Sequence, residues 1–274
     1  MAIISFWNSG KEETGKSSSI AAITTFLAIQ HNYKILVLDT KYNDYFYQDC
    51  YWQEDKTAKL INNNNASIGQ GISGLSKAIL SNKTSPEIIT NYTKIVFKDR
   101  LELLTETNST KEQYETNKKI FKDIAKIASK YYDLVFVDIA KDLEEDVKES
   151  LMEVSDLVVV NLQQRLRTIN DFLIAKHEDP ILRDAATMPI FGKYDEESKY
   201  NVKNVARYMK EKRGVCAIPY NTLFFEASNE GKVADFFIKF RKISPKDKNF
   251  VFISEVQKTT EQIIERLKEL QMRM

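Results

Sequence analysis

The chain is short of several residue types on which whole classes of protein depend. It has 2 cysteines, Cys50 and Cys216, in 274 residues. That excludes a disulfide scaffold and a cysteine-based zinc module, and it suits a reducing compartment. Its 2 histidines, His31 and His177, exclude a histidine-rich metal site. No apolar run approaches the ~20 residues needed to cross a bilayer, and the first residues do not read as a signal peptide. Neither sign of charge dominates. Forty Lys and Arg against 39 Asp and Glu leave a formal net charge of +1, so attraction to nucleic acid or anionic lipid has to come from local patches. The expectation is a soluble, cytoplasmic protein, long enough to bury roughly 75% of its unfolded surface. Glycine is scarce as well, with 8 residues against roughly 7% usage in an average protein. Two of them, Gly10 and Gly15, stand close together near the start.

The segment Gly10-Lys-Glu-Glu-Thr-Gly-Lys-Ser17 fits the phosphate-loop pattern G-x-x-x-x-G-K-[ST] at every specified position. Its context agrees. Ala2 to Trp7 is a buried-strand run, and Ile20, Ile23, Phe26, Leu27 and Ile29 recur at helical spacing behind it. A strand, a tight turn and a helix N-terminus gather backbone N–H groups around one point, where the helix dipole adds positive potential. Triphosphate suits such a point. Lys16 would reach the β- and γ-phosphates, and the Ser17 hydroxyl would help to hold Mg2+.

Lys11, directly after the first glycine, gives the loop a second lysine. This resembles the deviant Walker A signature of the ParA/MinD family of ATPases, in which that lysine crosses a dimer interface to the partner's nucleotide. Later segments carry the resemblance further. Tyr33 to Asp39 ends in a carboxylate at the switch I place, and Tyr132 to Asp138 looks like a Walker B strand. Ser155 to Asn161 and the Ile218-Pro219-Tyr220-Asn221 segment follow in the family's order. The resemblance implies a three-layer α/β/α fold with a mostly parallel sheet, formed as one domain over residues 1–274. It implies ATP and Mg2+ as cofactors, and a homodimer formed on ATP binding. Catalytic parts fall to Lys11, Lys16 and Asp39. Nucleotide contacts fall to Gly10, Lys11, Glu12, Glu13, Thr14, Gly15, Lys16, Ser17, Ser18, Pro219 and Tyr220, and the metal to Ser17, Asp39 and Asp138.

Three segments depart from the family pattern. Glu12 and Glu13 stand where glycine is usual, and a carboxylate facing a triphosphate costs about 4 kcal/mol for unit charges about 4 Å apart at an effective dielectric near 20. Their side chains must therefore point away. Lys41 replaces the second switch I carboxylate, the one associated with activating water. Asp138-Ile139-Ala140-Lys141 lacks the glycine that would let the backbone follow a γ-phosphate. Together they predict a nucleotide-dependent scaffold with slow turnover.

Beyond Asp138 the pattern alternates. A helix over about 144–154, a strand over 157–161, a helix over about 168–176 and a strand around 188–192 are followed by a helix near 202–212, a strand over 215–218, helices around 227–240 and a terminal helix from about 253. The stretch from Lys41 to Asn91, with Asn62 to Asn65 and Gly69, Gly71 and Gly74, reads as loops and short helices. Tyr42, Tyr45, Phe46, Tyr47, Tyr51 and Trp52 form either local core or a partner surface. Lys118, Lys122, Lys126 and Lys130 form either a solvated helix face or a track for phosphate or anionic lipid. On the terminal helix, Ile253, Val256, Ile263, Ile264, Leu267 and Leu270 make an apolar face, and its mixed charges favour packing on the domain over docking on membrane.

Gly192 to Asp195 and Ser198 to Asn204 look like the TadZ/CpaE-type branch, which is associated with polar localisation and Tad pilus assembly and whose relatives usually carry a receiver-like domain ahead of the ATPase. The preferred reading is an ATP-switched factor that positions or assembles a pilus or secretion system, recruited to the cell pole or membrane surface. The alternative is a DNA-partitioning ATPase. A small-molecule kinase is disfavoured by Lys11 and by the lack of an evident acceptor site.

Overall fold

Runs of Val, Ile and Leu become the strands of a single sheet. The structure is a computed structural model and describes residues 1–8, 10, 12–53, 71–81, 85–107 and 109–272. Lys11, the Asn62 to Asn65 tract and Gly69 lie outside the described residues. The strands are β1 (Ala2–Trp7), β2 (Ile35–Asp39), β3 (Lys94–Phe97), β4 (Leu101–Leu104), β5 (Leu134–Asp138), β6 (Leu157–Leu162), β7 (Thr187–Tyr194) and β8 (Cys216–Pro219). Their spatial order is β3-β4-β2-β5-β1-β6-β7-β8. Every pairing is parallel except that of β3 with β4.

Every residue of β1, β2, β5 and β6 is buried. Strands covered on both faces read as continuous apolar runs, which is why these four were the plainest in the sequence. Alternate residues feed two cores. Ile4, Phe6, Val37, Phe136 and Val159 face one side, and Ile3, Leu36, Leu38, Val135, Val137 and Val160 face the other.

Helices cover both faces, giving the three-layer α/β/α arrangement with a mostly parallel sheet. On the first face lie α1 (Lys16–Gln30) and α2 (Phe46–Tyr51). The second is covered by α3 (Gly71–Leu80), α4 (Lys111–Asn117), α5 (Phe121–Ala128), α6 (Glu145–Glu153), α7 (Leu166–Glu178), α8 (Pro180–Asp184) and α9 (Val202–Tyr208). The chain then returns to the first face with α10 (Thr222–Asn229), α11 (Val233–Lys239) and α12 (Phe250–Gln271). In α12, Ile253, Val256, Ile263 and Leu267 are buried in the first core, with Ile264 and Leu270 packed at its margin. No described helix is long and apolar enough to cross a membrane.

Two helix boundaries differ from the sequence reading. The helix expected to run to about 212 stops at Tyr208, because Lys210 and Gly214 take positive φ values of 55° and 83° and turn the chain into β8. The helices expected around 227–240 begin earlier, at Thr222, and are divided at Gly231, whose φ is 69°. The β3–β4 hairpin had no sequence expectation.

Candidate functional site

The turn between β1 and α1 lies at the carboxyl edge of the sheet, where open α/β sheets bind ligands. Gly15 caps α1 with φ 73° and ψ 21°, a left-handed conformation that few side chains tolerate. The turn packs closely on β7. A Cβ added to Gly192 would stand 2.1 Å from Thr14 O. Thr14 is buried, and Gly10 accepts a 2.5 Å hydrogen bond from Asn8 Nδ2. Ser18, in the first turn of α1, is half-buried. Glu12 and Glu13 are exposed and face basic neighbours: Glu12 Oε1 is 3.4 Å from Arg165 Nη1, and Glu13 Oε2 is 3.6 Å from Lys193 Nζ at the end of β7.

Behind the turn, parallel pairing of β2 with β5 sets Asp39 directly beside Asp138. Both are buried. Lys16 Nζ lies 3.1 Å from Asp138 Oδ1 and donates to Ile139 O. Ser17 Oγ donates to Asp138 Oδ2 at 2.6 Å, and Tyr47 Oη donates to the same oxygen at 2.8 Å. Lys41 completes the cluster. Its Nζ is 3.6 Å from Asp39 Oδ2, 3.5 Å from Asp138 Oδ2 and 3.1 Å from Asp44 Oδ2, and it donates to Ser17 Oγ at 3.2 Å. The rings of Phe46 and Tyr47 lie beneath that ammonium, with centroids at 5.7 and 5.3 Å.

The backbone between the two carboxylates is fixed. Thr40 donates to Asp138 O through its N–H at 3.2 Å and its hydroxyl at 2.8 Å. It receives Ala140 N–H on Oγ1 at 2.8 Å and the Tyr114 hydroxyl on its carbonyl at 2.8 Å. Ile139 N–H donates to Phe6 O at 3.1 Å. Ile139 and Ala140 are therefore tied to β1 and to the residue that follows β2.

Burial and partners push the two carboxyls apart. Burial raises Asp39 to about 8, with Lys41 opposing and the Asp138 charge adding to the rise. Burial alone would raise Asp138 too, but the Lys16 and Lys41 ammoniums and the Ser17 and Tyr47 hydroxyls outweigh it and hold that carboxyl down at about 2. For Lys41, burial is overcome by the Asp39, Asp138 and Asp44 carboxylates, which raise its value and keep it charged. Burial and the Asp138 charge raise the Tyr47 phenol, so it stays a donor.

Ser17, Asp39 and Asp138 present a hydroxyl and two carboxylates, the hard oxygens that Mg2+ takes. Asp39 Oδ2 and Asp138 Oδ1 are buried and accept no hydrogen bond. The donor chemistry fits a divalent cation, with the Lys41 ammonium standing among the same oxygens. Among the described residues no group of three or more His, Cys, Asp and Glu is arranged to hold a metal by itself. A metal here would need further ligands from phosphate or water.

The structure thus brings Lys16, Ser17, Asp39 and Asp138 together. Pro219 and Tyr220 lie at the end of β8 beside Tyr194 of β7, where Pro219 pairs with Tyr194 and Tyr220 N–H donates to Tyr194 O at 3.2 Å; the Tyr220 ring is exposed and lies 6.2 Å from that of Phe225. The lysine stripe is not a continuous cationic track, because Lys118 is buried and paired with Glu115 and Glu144, and Lys122 pairs with Glu153 at 3.0 Å. A cavity of about 310 Å³ near the starts of β7 and β8, lined by Lys176, Thr187, Arg213 and Arg266 among others, contains none of the expected site residues.

Sequence reasoning missed three neighbours of the site. Tyr47, which the sequence offers as core or partner surface, is buried and bonded to Asp138. Lys41, in sequence a missing acid, is the hub of the cluster. Asn161 is buried with neither amide atom hydrogen-bonded, beside the point where β7 meets the turn. An amide ending a run of valines was the one signal for it.

No family model matches the chain, and no curated protein matches it significantly. Solved structures do. A ParA family ATPase from Chlorobium tepidum TLS superposes with a TM-score of 0.66 at 17% identity, over 92% of this chain and 95% of that one. The fold is that of the ParA and MinD ATPases. The septum site-determining protein MinD of Pyrococcus horikoshii OT3, complexed with Mg-ADP, gives 0.64 at 15% identity over 96% of this chain and 95% of its own. A plasmid partition protein of Borrelia burgdorferi B31 bound to AMPPNP gives 0.58 at 16% identity over 99% and 98%. At such identities the likeness establishes the fold and leaves the role to the site.

Proposed function

We propose that the chain is a single-domain, ATP-binding, ATP-dependent dimeric switch with slow hydrolysis, of the ParA/MinD type. The observation that carries this reading is the convergence of Lys16, Ser17 and Asp138 at the start of α1, behind a glycine-capped turn at the carboxyl edge. Lys16 would turn from Asp138 to the phosphates, and the loop from Gly10 to Ser18 would wrap them. Mg2+, where it displaces the Lys41 ammonium, would be held by Ser17, Asp39 and Asp138 and would add to the charge that neutralises phosphate. Pro219 and Tyr220 would border the base. Lys11 rests on the sequence alone for its proposed part across a dimer interface. Slow turnover is supported by the tied segment after Asp138 and by Lys41, which offers a cation where an acid would orient water.

The finer role, positioning or assembling a Tad-type pilus or secretion system, rests on the resemblance of Gly192 to Asp195 and Ser198 to Asn204. The pairing of Lys118 and Lys122 with glutamates weighs against the DNA-partitioning alternative. Calorimetry with ATP and Mg2+ tests the core of the proposal, and sedimentation tests the switch. Uptake of ATP, an ATP-driven shift from monomer to dimer and loss of that shift in Lys11→Ala are expected. No heat of binding in the unmodified protein removes the reading. Salt-sensitive, ATP-dependent binding to non-specific DNA would move the role to partitioning.

A further inference from the structure

Four oxygen-bearing side chains converge on one ammonium. Lys41 Nζ lies 3.1 to 3.6 Å from carboxylate oxygens of Asp44, Asp138 and Asp39, and 3.2 Å from Ser17 Oγ. Three of those residues, Ser17, Asp39 and Asp138, are the donors that suit Mg2+ in the reading above, on which this inference rests. The lysine is built into its place. Its side chain is only 19% exposed, the rings of Phe46 and Tyr47 lie against the charge, and Thr40 before it is tied to Asp138, Ala140 and Tyr114. Tyr47 also donates to the Asp138 oxygen that faces Lys41.

We propose that Lys41 is a tethered cation that competes with the divalent metal for Ser17, Asp39 and Asp138, so that nucleotide binds with little dependence on Mg2+. A metal among those oxygens would face an ammonium already paired with Asp39 and Asp138 and hydrogen-bonded to Ser17, and like charges at such range repel strongly when desolvated. Either the lysine withdraws or the metal stays out. A cation supplied by the chain itself costs no ion uptake, and it lies next to the Ser17 hydroxyl at the start of α1. Lys16 and Lys41 together then bring two positive charges to a bound polyphosphate without a metal.

The test compares ADP affinity by calorimetry in excess Mg2+ and in excess EDTA. The unmodified protein should differ by less than about threefold between the two conditions, while Lys41→Met and Lys41→Gln should bind at least about tenfold more tightly with Mg2+ than without, a change of about 1.4 kcal/mol. Lys41→Arg, which keeps the charge, should behave as the unmodified protein does. Should both neutral variants fail to fold, Asp44→Asn reads the same effect, because it loosens the ammonium and should raise the Mg2+ dependence. A tenfold or greater gain from Mg2+ in the unmodified protein, matched by the variants, overturns the proposal. Absence of ADP binding under both conditions overturns the nucleotide reading, and this inference with it.

Discussion

Adding one methyl group at Gly192 probes how tightly the candidate phosphate turn is held. The Cβ of Gly192→Ala would lie 2.1 Å from Thr14 O and 3.2 Å from both Asn161 Nδ2 and Ser19 Oγ. Carbon and oxygen atoms in ordinary contact stand roughly 3.3 Å or more apart, so the Thr14 carbonyl has to retreat by about 1 Å. Thr14 is buried and adjoins Gly15, which caps α1, so the strain spreads into the helix start. Overpacking of this kind costs about 1–3 kcal/mol. For a chain of this size that lowers the melting temperature by roughly 2–10 °C. A displacement of about 1 Å at a binding turn also costs up to about a hundredfold in function. Thermal unfolding by circular dichroism and calorimetry with ATP read the two effects. Gly10→Ala is the control for the stability arm alone, since among the described residues its Cβ would meet Glu12 N at 3.9 Å. If Gly192→Ala melts within about 1 °C of the unmodified protein and takes up nucleotide equally well, β7 does not brace the turn and the reasoning fails.

Two further outcomes follow from the charge cluster. Tyr47→Phe keeps the buried ring and removes the 2.8 Å hydrogen bond to Asp138, and it should cost about 1.5–3 kcal/mol in urea unfolding, as for a bond to a charged group; an unchanged midpoint would mean that bond is idle. Asp39 has its folded-state value raised by burial to about 8, so the folded form holds a proton that the unfolded chain gives up near pH 4. Its contribution is full below the ordinary carboxylate range and is lost as pH rises toward about 8, a window in which Asp138, held down at about 2, does not titrate. Asp39→Asn should therefore gain stability relative to the unmodified protein between about pH 5 and pH 8, and a constant difference in melting temperature across that range would exclude the assignment.

What could be read in the chain follows the range of the interactions. The strands ending in Asp39 and Asp138 were legible because burial on both faces leaves an uninterrupted apolar run, and the turn was legible because its glycines and lysine lie within a few residues. The β3–β4 hairpin was not. Its strands have four residues each, and the chain reverses through Asp99 at φ 59° without a glycine to mark the turn. The contacts that organise the site escaped for a different reason. Tyr47 and Asp138 are 91 positions apart, and nothing local distinguishes a tyrosine that fills a core from one that also donates to a buried carboxylate. Lys41 was visible as a missing acid, yet its partners come from the ends of two strands and from α1. Only their parallel register brings those side chains to one point.

The ties on Thr40 bear on how fast the site can change. With its N–H, hydroxyl and carbonyl all engaged, the main chain ahead of Lys41 has no slack. The ammonium can leave its carboxylates only by turning about its own side-chain bonds, and rotamer changes take picoseconds to nanoseconds where loop rearrangements take microseconds or longer. Rapid mixing with a fluorescent nucleotide should then trace one exponential whose rate climbs linearly with ligand concentration, the encounter itself being the slow event.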